Sequence, residues 1–180
     1  DSTLSVVDLT DFRQVQKIPV CVNPHRVRKD QYDRLWITSR GDHKEVQPQL
    51  TCFSPITNSL LPIANAPAVS EMVIVGDSMY YYGAHWSDET MSNQITYGVF
   101  NIQSPIPNNQ YPISTIQSFI TDGTEKNIKI PYGIQVNPYN GDIYITDAKN
   151  YVSSGQLHCY THEGKRKWSV RTGDIPAHMC

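Results

Sequence analysis

The segment Ile130–Gly173 decides the fold class, because its pattern gives four short strands joined by three turns. It reads IPYGIQVNP (130–138), YNGD (139–142), IYITDAK (143–149) and GQLHCYTHEGKRKWSVRTG (155–173). Asn140-Gly141 predicts a hairpin turn, since both residue types tolerate positive φ, and Glu163-Gly164 predicts another. The opening pattern then restarts with IPAHM (175–179). The segment therefore predicts one four-stranded antiparallel sheet and the start of the next.

The same four-stranded pattern recurs along the chain, and a proline marks the start of each repeat. Pro24, Pro67, Pro131 and Pro176 stand near the openings of strand-like runs, at spacings of 43, 64 and 45 residues. Two of these spacings fit a four-stranded propeller blade of about 40–50 residues. The long one carries extra polar residues, at 87–94 and 104–114, which we interpret as loops. Second strands match as well: LWIT (35–38), MYYY (79–82) and IYIT (143–146).

Strand-like runs are frequent, and helical periodicity is hard to find. The runs are short, rich in β-branched and aromatic residues, and bounded by Gly, Pro, Asn or Asp, as strands of all-β proteins are. They are Thr3–Leu9, Arg34–Ser39, Gln49–Ser54, Met72–Val75, Met79–Tyr82, Ile95–Ile102, Gly133–Val136, Asp142–Thr146, Gln156–Thr161 and Lys167–Arg171.

The predicted fold is an all-β propeller segment of about three to four four-stranded blades, which form a partial ring. Closed rings commonly have four to eight blades, and a blade cannot bury its hydrophobic faces alone. We therefore expect the partial ring to have two unpaired sheet edges, which are covered either by a second copy in a homodimer or by further N-terminal blades. In the dimer, Pro176–Met179 of one copy would lie beside Leu4–Leu9 of the other. The predicted divisions are two outer strands at 1–20, whole blades at 21–63, 64–126 and 127–173, and the start of another blade at 174–180.

Composition excludes several classes of protein. Acidic and basic residues are interspersed and the net charge is −2, so there is no basic field for nucleic acid. No apolar run approaches the roughly 20 residues of a membrane span. The four cysteines form no C-x-x-C pair, so we interpret Cys21, Cys52 and Cys159 as small hydrophobic strand residues and expect Cys180 to be exposed.

Enzyme motifs are missing from the sequence. It contains no G-x-S-x-G nucleophile elbow, no H-E-x-x-H and no EF-hand loop. Calcium-dependent propeller lactonases need several acidic ligands that converge on the axis, and only Glu71 is placed for that role. We therefore predict a non-catalytic protein without a cofactor, and a propeller hydrolase or lactonase is the weakest alternative.

The segment 130–178 resembles the C-terminal blade of the YncE-like propeller proteins of Bacteroidetes. The shared features are the P-x-G-I-x-V-x-P opening, the G-x-I-Y-x-T-D-A-x-x-Y second strand and a closing I-P-x-H, with Ala177 where that family often has Gly. The resemblance is loose over residues 1–126. It implies a seven-bladed ring exported to the outer-membrane surface or the periplasm, with its other half upstream of Asp1. Some of these relatives capture corrinoids such as cobalamin.

Propeller geometry selects the candidate site. The starts of inner strands and the loops after second strands emerge on the same face of the disc. We interpret Trp86 as an exposed loop residue that could anchor a flat ligand or a protein. Asp147 is also typical of a residue that bonds its own loop backbone. The candidate ligand-binding residues are His25, Arg26, Arg40, His43, Glu71, His85, Trp86, Tyr132, Asp147, Lys149, Tyr151 and His178, with Ser70 and Asp42 beside them.

Two functions remain open at this point. The first is a ligand-binding module that captures a small, corrinoid-like molecule at this face. The alternative is a scaffold for protein–protein interaction. Of the remaining tryptophans, Trp36 and Trp168 are expected in the core, and Tyr80, Tyr81 and Tyr82 alternate along a strand that packs between blades.

Overall fold

The computed structural model describes residues 1–42, 44–103, 117–177 and 179. These residues form antiparallel strands and a short 3₁₀ helix, Thr124–Asn127, so the all-β prediction is confirmed. The strands are β1 (Thr3–Val7), β2 (Gln14–Pro19), β3 (Pro24–Lys29), β4 (Leu35–Ser39), β5 (Gln49–Ser54), β6 (Ser59–Pro62), β7 (Glu71–Val75), β8 (Ser78–Ser87), β9 (Ser92–Asn101), β10 (Pro131–Val136), β11 (Ile143–Asp147), β12 (Ser154–Tyr160) and β13 (Arg166–Asp174).

The strands assemble into four sheets in which chain neighbours pair. The orders are β1-β2, β3-β4-β5-β6, β7-β8-β9 and β10-β11-β12-β13. The chain divides into two compact units. The N-terminal unit holds β1 to β6, and the C-terminal unit holds β7 to β13. The blade boundaries inferred from the sequence stay predictions.

The N-terminal unit packs its two sheets face to face. Ile18 of β2 meets Ile37 and Phe53 of the second sheet, and Leu4 packs against them. At the β3–β4 turn, the buried carboxylate of Asp30 accepts hydrogen bonds from Arg34 Nε at 2.7 Å and Trp36 Nε1 at 2.9 Å. Trp36 is fully buried, as the sequence predicts.

The C-terminal unit repeats this arrangement with a larger core. Strands β7 and β10 lie close together, and one face of each sheet contributes to a single apolar cluster. The cluster follows from the period-2 alternation of strands, which places every second residue on one face. Its buried members are Tyr82, Tyr97, Phe119, Ile120, Ile128, Ile134, Val136, Ile143, Ile145 and Tyr160.

Several local predictions are wrong. Half of the predicted loop at 87–94 is strand, because β8 extends to Ser87 and β9 begins at Ser92, and the four residues between them form the turn. In the blade predicted at 64–126 the described residues show three strands, and Gln117 adds one bridge to Val99. Residues 104–116, which include the second predicted loop, lie outside the described residues, so the four strands of this blade stay a prediction. Strand β6 is not among the strands predicted from the sequence, because it is short and ends in a proline.

Three further expectations about single residues also fail. Trp168 is 44% exposed on the outermost strand and is not a core residue. Cys21 lies in a bend between strands, whereas Cys52 and Cys159 are buried strand residues. The hairpin at Asn140-Gly141 forms, but only Gly141 takes a positive φ, of 73°. The turn is therefore wider than a two-residue one, and Gly141 N–H donates to the carbonyl of Asn137 at 2.9 Å.

Candidate functional site

Three of the sheets share a feature that positions the candidate residues. In each, the start of the first strand pairs with a residue of the second strand, and we call this side of the sheet its front edge. Pro24 pairs with Ser39 and Pro131 pairs with Asp147, each the last residue of its strand, whereas Glu71 pairs with Tyr82, after which β8 continues to Ser87. Because antiparallel neighbours run in opposite directions, residues just before the first strand and just after the second strand meet at the front edges of the β3–β6 and β10–β13 sheets.

At the front edge of the β3–β6 sheet, His25 and Arg40 are in contact. Arg40 Nη2 lies 2.8 Å from His25 Nε2. A guanidinium has only donors, so His25 Nε2 is the acceptor in this contact. Beside the pair is a groove of about 420 Å³, lined by Asp1, Thr3, Leu4, Asn23, Pro24, His25 and Val27.

The neighbours of this pair have mainly structural roles. Arg26 N–H donates to Thr38 Oγ1 at 3.1 Å, next to a shift in the β3–β4 register. The carboxylate of Asp42 accepts the backbone N–H groups of Lys44 and Val46, and these hydrogen bonds lower its pKa. Asp42 therefore shapes the loop after β4. His43 lies outside the described residues.

The front edge of the β7–β9 sheet is closed by Glu71. Its side chain is buried, and Oε1 accepts the backbone N–H of Met72 at 3.2 Å. Ser70, which precedes it, is partly buried. A buried carboxylate at this place is positioned to orient the local backbone rather than to meet a ligand in solvent.

Asp147 organises the front edge of the β10–β13 sheet. Its side chain is fully buried. Oδ1 accepts the N–H groups of Ile130 and Lys149, both at 2.8 Å, and Oδ2 accepts that of Lys129 at 3.1 Å. The interpretation of Asp147 as a residue that bonds local backbone is confirmed. It holds the segment before β10 and the loop after β11 together.

The loop after β11 contains two residues in the left-handed region. Lys149 has φ 55° and Tyr151 has φ 63°, a conformation that costs free energy for residues other than glycine and that clusters at functional sites. Ala148 and Asn150 hold the loop in place. Ala148 O accepts the N–H of Tyr151 at 2.9 Å. Asn150 Oδ1 accepts the N–H groups of Val152 and Ser153.

This loop brings two aromatic rings together. The rings of Tyr132 and Tyr151 meet edge to face, with centroids 5.7 Å apart. Tyr151 is 48% exposed, whereas Tyr132 and Lys149 are partly buried. The arrangement brings two aromatic rings into contact at this front edge, and Lys149 lies on the same loop as Tyr151.

His85 and Trp86 lie apart from this cluster, on the β8–β9 hairpin. They pair with Gln94 and Asn93, beyond the last residue that pairs β8 with β7. Trp86 is 56% exposed, as expected, but it belongs to a strand and not to a loop. Its Nε1 donates to Asp88 Oδ1 at 2.9 Å, which fixes the indole on the hairpin.

Sequence reasoning missed two buried polar groups in the C-terminal unit. His158 Nδ1 contacts Ser169 Oγ at 2.7 Å, while its buried Nε2 has no hydrogen-bond partner within the described residues. Burial lowers the pKa of His158, and the charge of Asp147 only partly opposes this. The hydroxyl of Tyr97 is likewise buried without such a partner, and burial raises its pKa. Neither residue stands out from its neighbours in the sequence.

The described part of the chain contains no group of three or more His, Cys, Asp or Glu side chains arranged to hold a metal ion. Within the same residues, no helix has the length and apolar character that spanning a membrane requires.

The structure thus groups the candidates into separate sets. Tyr132, Asp147, Lys149 and Tyr151 meet at one front edge, and His25 meets Arg40 at another. His85 and Trp86 share a hairpin, and His178 lies outside the described residues. A scan against protein-family models found no match for this chain, and a search of curated proteins found none either.

Proposed function

We propose that this chain is a segment of a β-propeller that binds a small molecule, without catalysis, at the front edge of the β10–β13 sheet. The observation that carries the proposal is the rigid loop in which Lys149 and Tyr151 both take the left-handed conformation. Backbone strain of this kind persists only where the surroundings impose it. Here the hydrogen bonds of Asp147 and Asn150 do so.

The propeller part of the proposal rests on how the sheets are built. Two sheets are four-stranded meanders with the strand order that a propeller blade has. In the C-terminal unit the first strands of two successive sheets lie close together, and the sheets share one apolar cluster. Successive blades around an axis would have this relationship.

The chemistry of the loop suggests the class of ligand. Tyr132 and Tyr151 give a surface for a flat, partly apolar molecule, because aromatic rings combine large contact area with polar tips. Lys149 adds a cation that favours a ligand with an anionic group. Corrinoids fit this description, and they are the first class to test because of the resemblance to YncE-like proteins. An exported location belongs to the same proposal.

The test is calorimetric titration of the chain with cobalamin and with a panel of sugars. The double variant Tyr132→Ala/Tyr151→Ala should weaken binding by about tenfold or more, since it removes two aromatic contacts. Tyr139→Ala is the matched control, because Tyr139 is 96% exposed in the turn between β10 and β11, at the other end of the sheet. Equal affinity of the double variant and the control would reject this site.

A protein-binding scaffold is the second candidate, and the β8–β9 hairpin favours it. Trp86 and Met91 are both largely exposed there, and exposed tryptophans are enriched among the residues that dominate protein interfaces. In that case Trp86→Ala should abolish capture of a protein partner, while Trp168→Ala, which alters another exposed indole, should not. Retention of partner binding by Trp86→Ala would remove this candidate.

A further inference from the structure

Two tyrosine hydroxyls in the C-terminal unit are buried without a hydrogen-bond partner within the described residues. They belong to Tyr81 and Tyr97, which lie on opposite faces of the β7–β9 sheet, because Tyr97 pairs with Tyr82 and successive strand residues alternate in direction. A buried hydroxyl without a partner costs free energy, and native proteins satisfy almost all such groups with protein atoms or ordered water. The surroundings of the two hydroxyls differ.

The hydroxyl of Tyr81 lies against backbone and an aromatic ring. A Cβ at Gly98 would be 2.5 Å from the hydroxyl oxygen, and the ring of Tyr81 contacts that of Phe100 with centroids 5.9 Å apart. Burial alone raises the pKa of Tyr81 to about 12. A buried water needs two to four polar partners, and these neighbours do not supply them.

The hydroxyl of Tyr97 lies among polar groups. Burial raises the pKa of Tyr97, and the nearby groups of Tyr160, Asp147 and Glu125 raise it further. Glu125 also raises the pKa of Tyr160, although burial is the larger cause there. Both tyrosines belong to the apolar cluster of this unit. Glu125 Oε2 is itself buried and has no hydrogen-bond partner in the described part of the chain.

The hydroxyl of Tyr160 makes only a weak contact with the 3₁₀ helix. It lies 3.4 Å from Thr124 Oγ1, whereas hydroxyl hydrogen bonds are typically about 2.7–2.8 Å long. The Thr124 hydroxyl donates to Asp122 Oδ1 at 2.6 Å, so its proton is already used. Thr124 and Glu125 are neighbours on this helix. The hydroxyls of Tyr97 and Tyr160 and the carboxylate of Glu125 therefore converge on one interior place.

We infer that this place binds one ordered water molecule, held by Tyr97, Tyr160 and Glu125. Both tyrosine O–H groups donate to the water oxygen, and the water donates to Glu125 Oε2. These are the three hydrogen bonds that a buried water typically makes. The water links β9, β12 and the 3₁₀ helix, and so connects two successive sheets. It also fixes the segment that leads to Lys129, whose N–H donates to Asp147 at the front edge.

Removal of each hydroxyl in turn tests the site by stability. Tyr97→Phe should lower the urea midpoint of the chain by about 0.5 M, because a water-mediated link stabilises nearly as well as a direct hydrogen bond. Tyr81→Phe is the matched control and should leave the midpoint unchanged or raise it, since that hydroxyl has no partner to lose. A Tyr97→Phe midpoint at or above the wild-type value overturns the inference.

A crystal structure of the chain identifies what lies between the three side chains. It should show a water at hydrogen-bonding distance from Tyr97 Oη, Tyr160 Oη and Glu125 Oε2, in the wild-type chain and in Tyr81→Phe alike. A direct hydrogen bond from Tyr97 to Glu125 with no water between them overturns the inference, even if Tyr97→Phe is destabilised. A metal ion at this place overturns it as well.

Discussion

The carboxylate of Asp147 accepts the backbone N–H of Ile130 at 2.8 Å, and this bond ties the end of β11 to the segment that leads into β10. The same carboxylate accepts the N–H groups of Lys129 and Lys149. One buried side chain therefore satisfies three donors from two stretches of chain. The left-handed loop of the proposed site depends on it.

Asp147→Ala should destabilise the C-terminal unit by about 3 kcal/mol, because it leaves those three N–H groups without their acceptor. Urea unfolding followed by circular dichroism measures the change. Asp88→Ala removes an exposed carboxylate on the β8–β9 hairpin and should cost less than about 0.5 kcal/mol. Equal stability of the two variants would show that Asp147 does not organise the front edge.

His158 should make the stability of the folded chain depend on pH. Burial lowers its pKa below the usual 6.5 in the folded chain, so below that pH the unfolded state binds more protons than the folded state. The contribution of neutral His158 to the free energy of unfolding is then fully present above about pH 6.5 and is lost as the pH falls through the pKa of His158 in the folded chain. The negative charge of Asp147 opposes this lowering of the His158 pKa, while the positive charges of Arg166 and Lys149 lower it further.

The measurement is the urea midpoint between pH 7.5 and pH 5. The wild-type chain should lose stability across this range, and His158→Gln should lose clearly less. His162→Gln is the control, because His162 is exposed and should keep the wild-type slope. A His158→Gln profile parallel to that of the wild type would assign the pH dependence to other groups.

Much of the strand pattern could be predicted from sequence, since hydrophobic alternation and turn residues are local signals. The Ile130–Gly173 sheet follows from them, and so does the meeting of the β10 start with the β11 end. The inner parts of β8 and β9 are predicted, but the outer part of their hairpin is not, because Ser87–Gln94 is polar and polar residues suit an exposed two-stranded ribbon as well as a loop. Trp168 was expected in the core and is exposed instead, because it lies on the outermost strand of its sheet, and a single sequence does not show which strand is outermost.

The candidate site was predicted in part. Asp147 is recognisable because an aspartate after a strand commonly bonds the next backbone groups. The left-handed conformations of Lys149 and Tyr151 carry no sequence signal, since neither residue type favours them. The unpartnered Nε2 of His158 depends on what packs over it from a distant strand, so a single sequence gives no sign of it.

Asp30 should be as important to the N-terminal unit as Asp147 is to the other unit. Burial alone would raise its pKa, but hydrogen bonds from Trp36 and Arg34 outweigh this and lower it. Asp30→Ala should cost about 3 kcal/mol, because it removes the buried carboxylate that accepts hydrogen bonds from Arg34 Nε and Trp36 Nε1. Its stabilising effect in the wild type is present above the usual pKa of 3.8 and is lost as pH falls below it. Asp33→Ala, which removes an exposed ion pair with Lys29, is the control in the same urea measurement.

Gly133 should tolerate no side chain, although it lies in a strand. A Cβ there would collide with the carbonyl oxygen of Ala177 and would lie 3.0 Å from Thr146 Oγ1. The segment that follows β13 therefore passes directly over β10 at this glycine. Because a backbone carbonyl cannot move aside as the end of a flexible side chain can, Gly133→Ala should cost about 1–3 kcal/mol. Gly173→Ala is the matched control, since a Cβ at that position meets nothing within 4 Å. Gly133→Ala should also increase amide hydrogen exchange around Ala177, whereas Gly173→Ala should not. Wild-type stability and exchange in Gly133→Ala would show that the segment does not rest on β10.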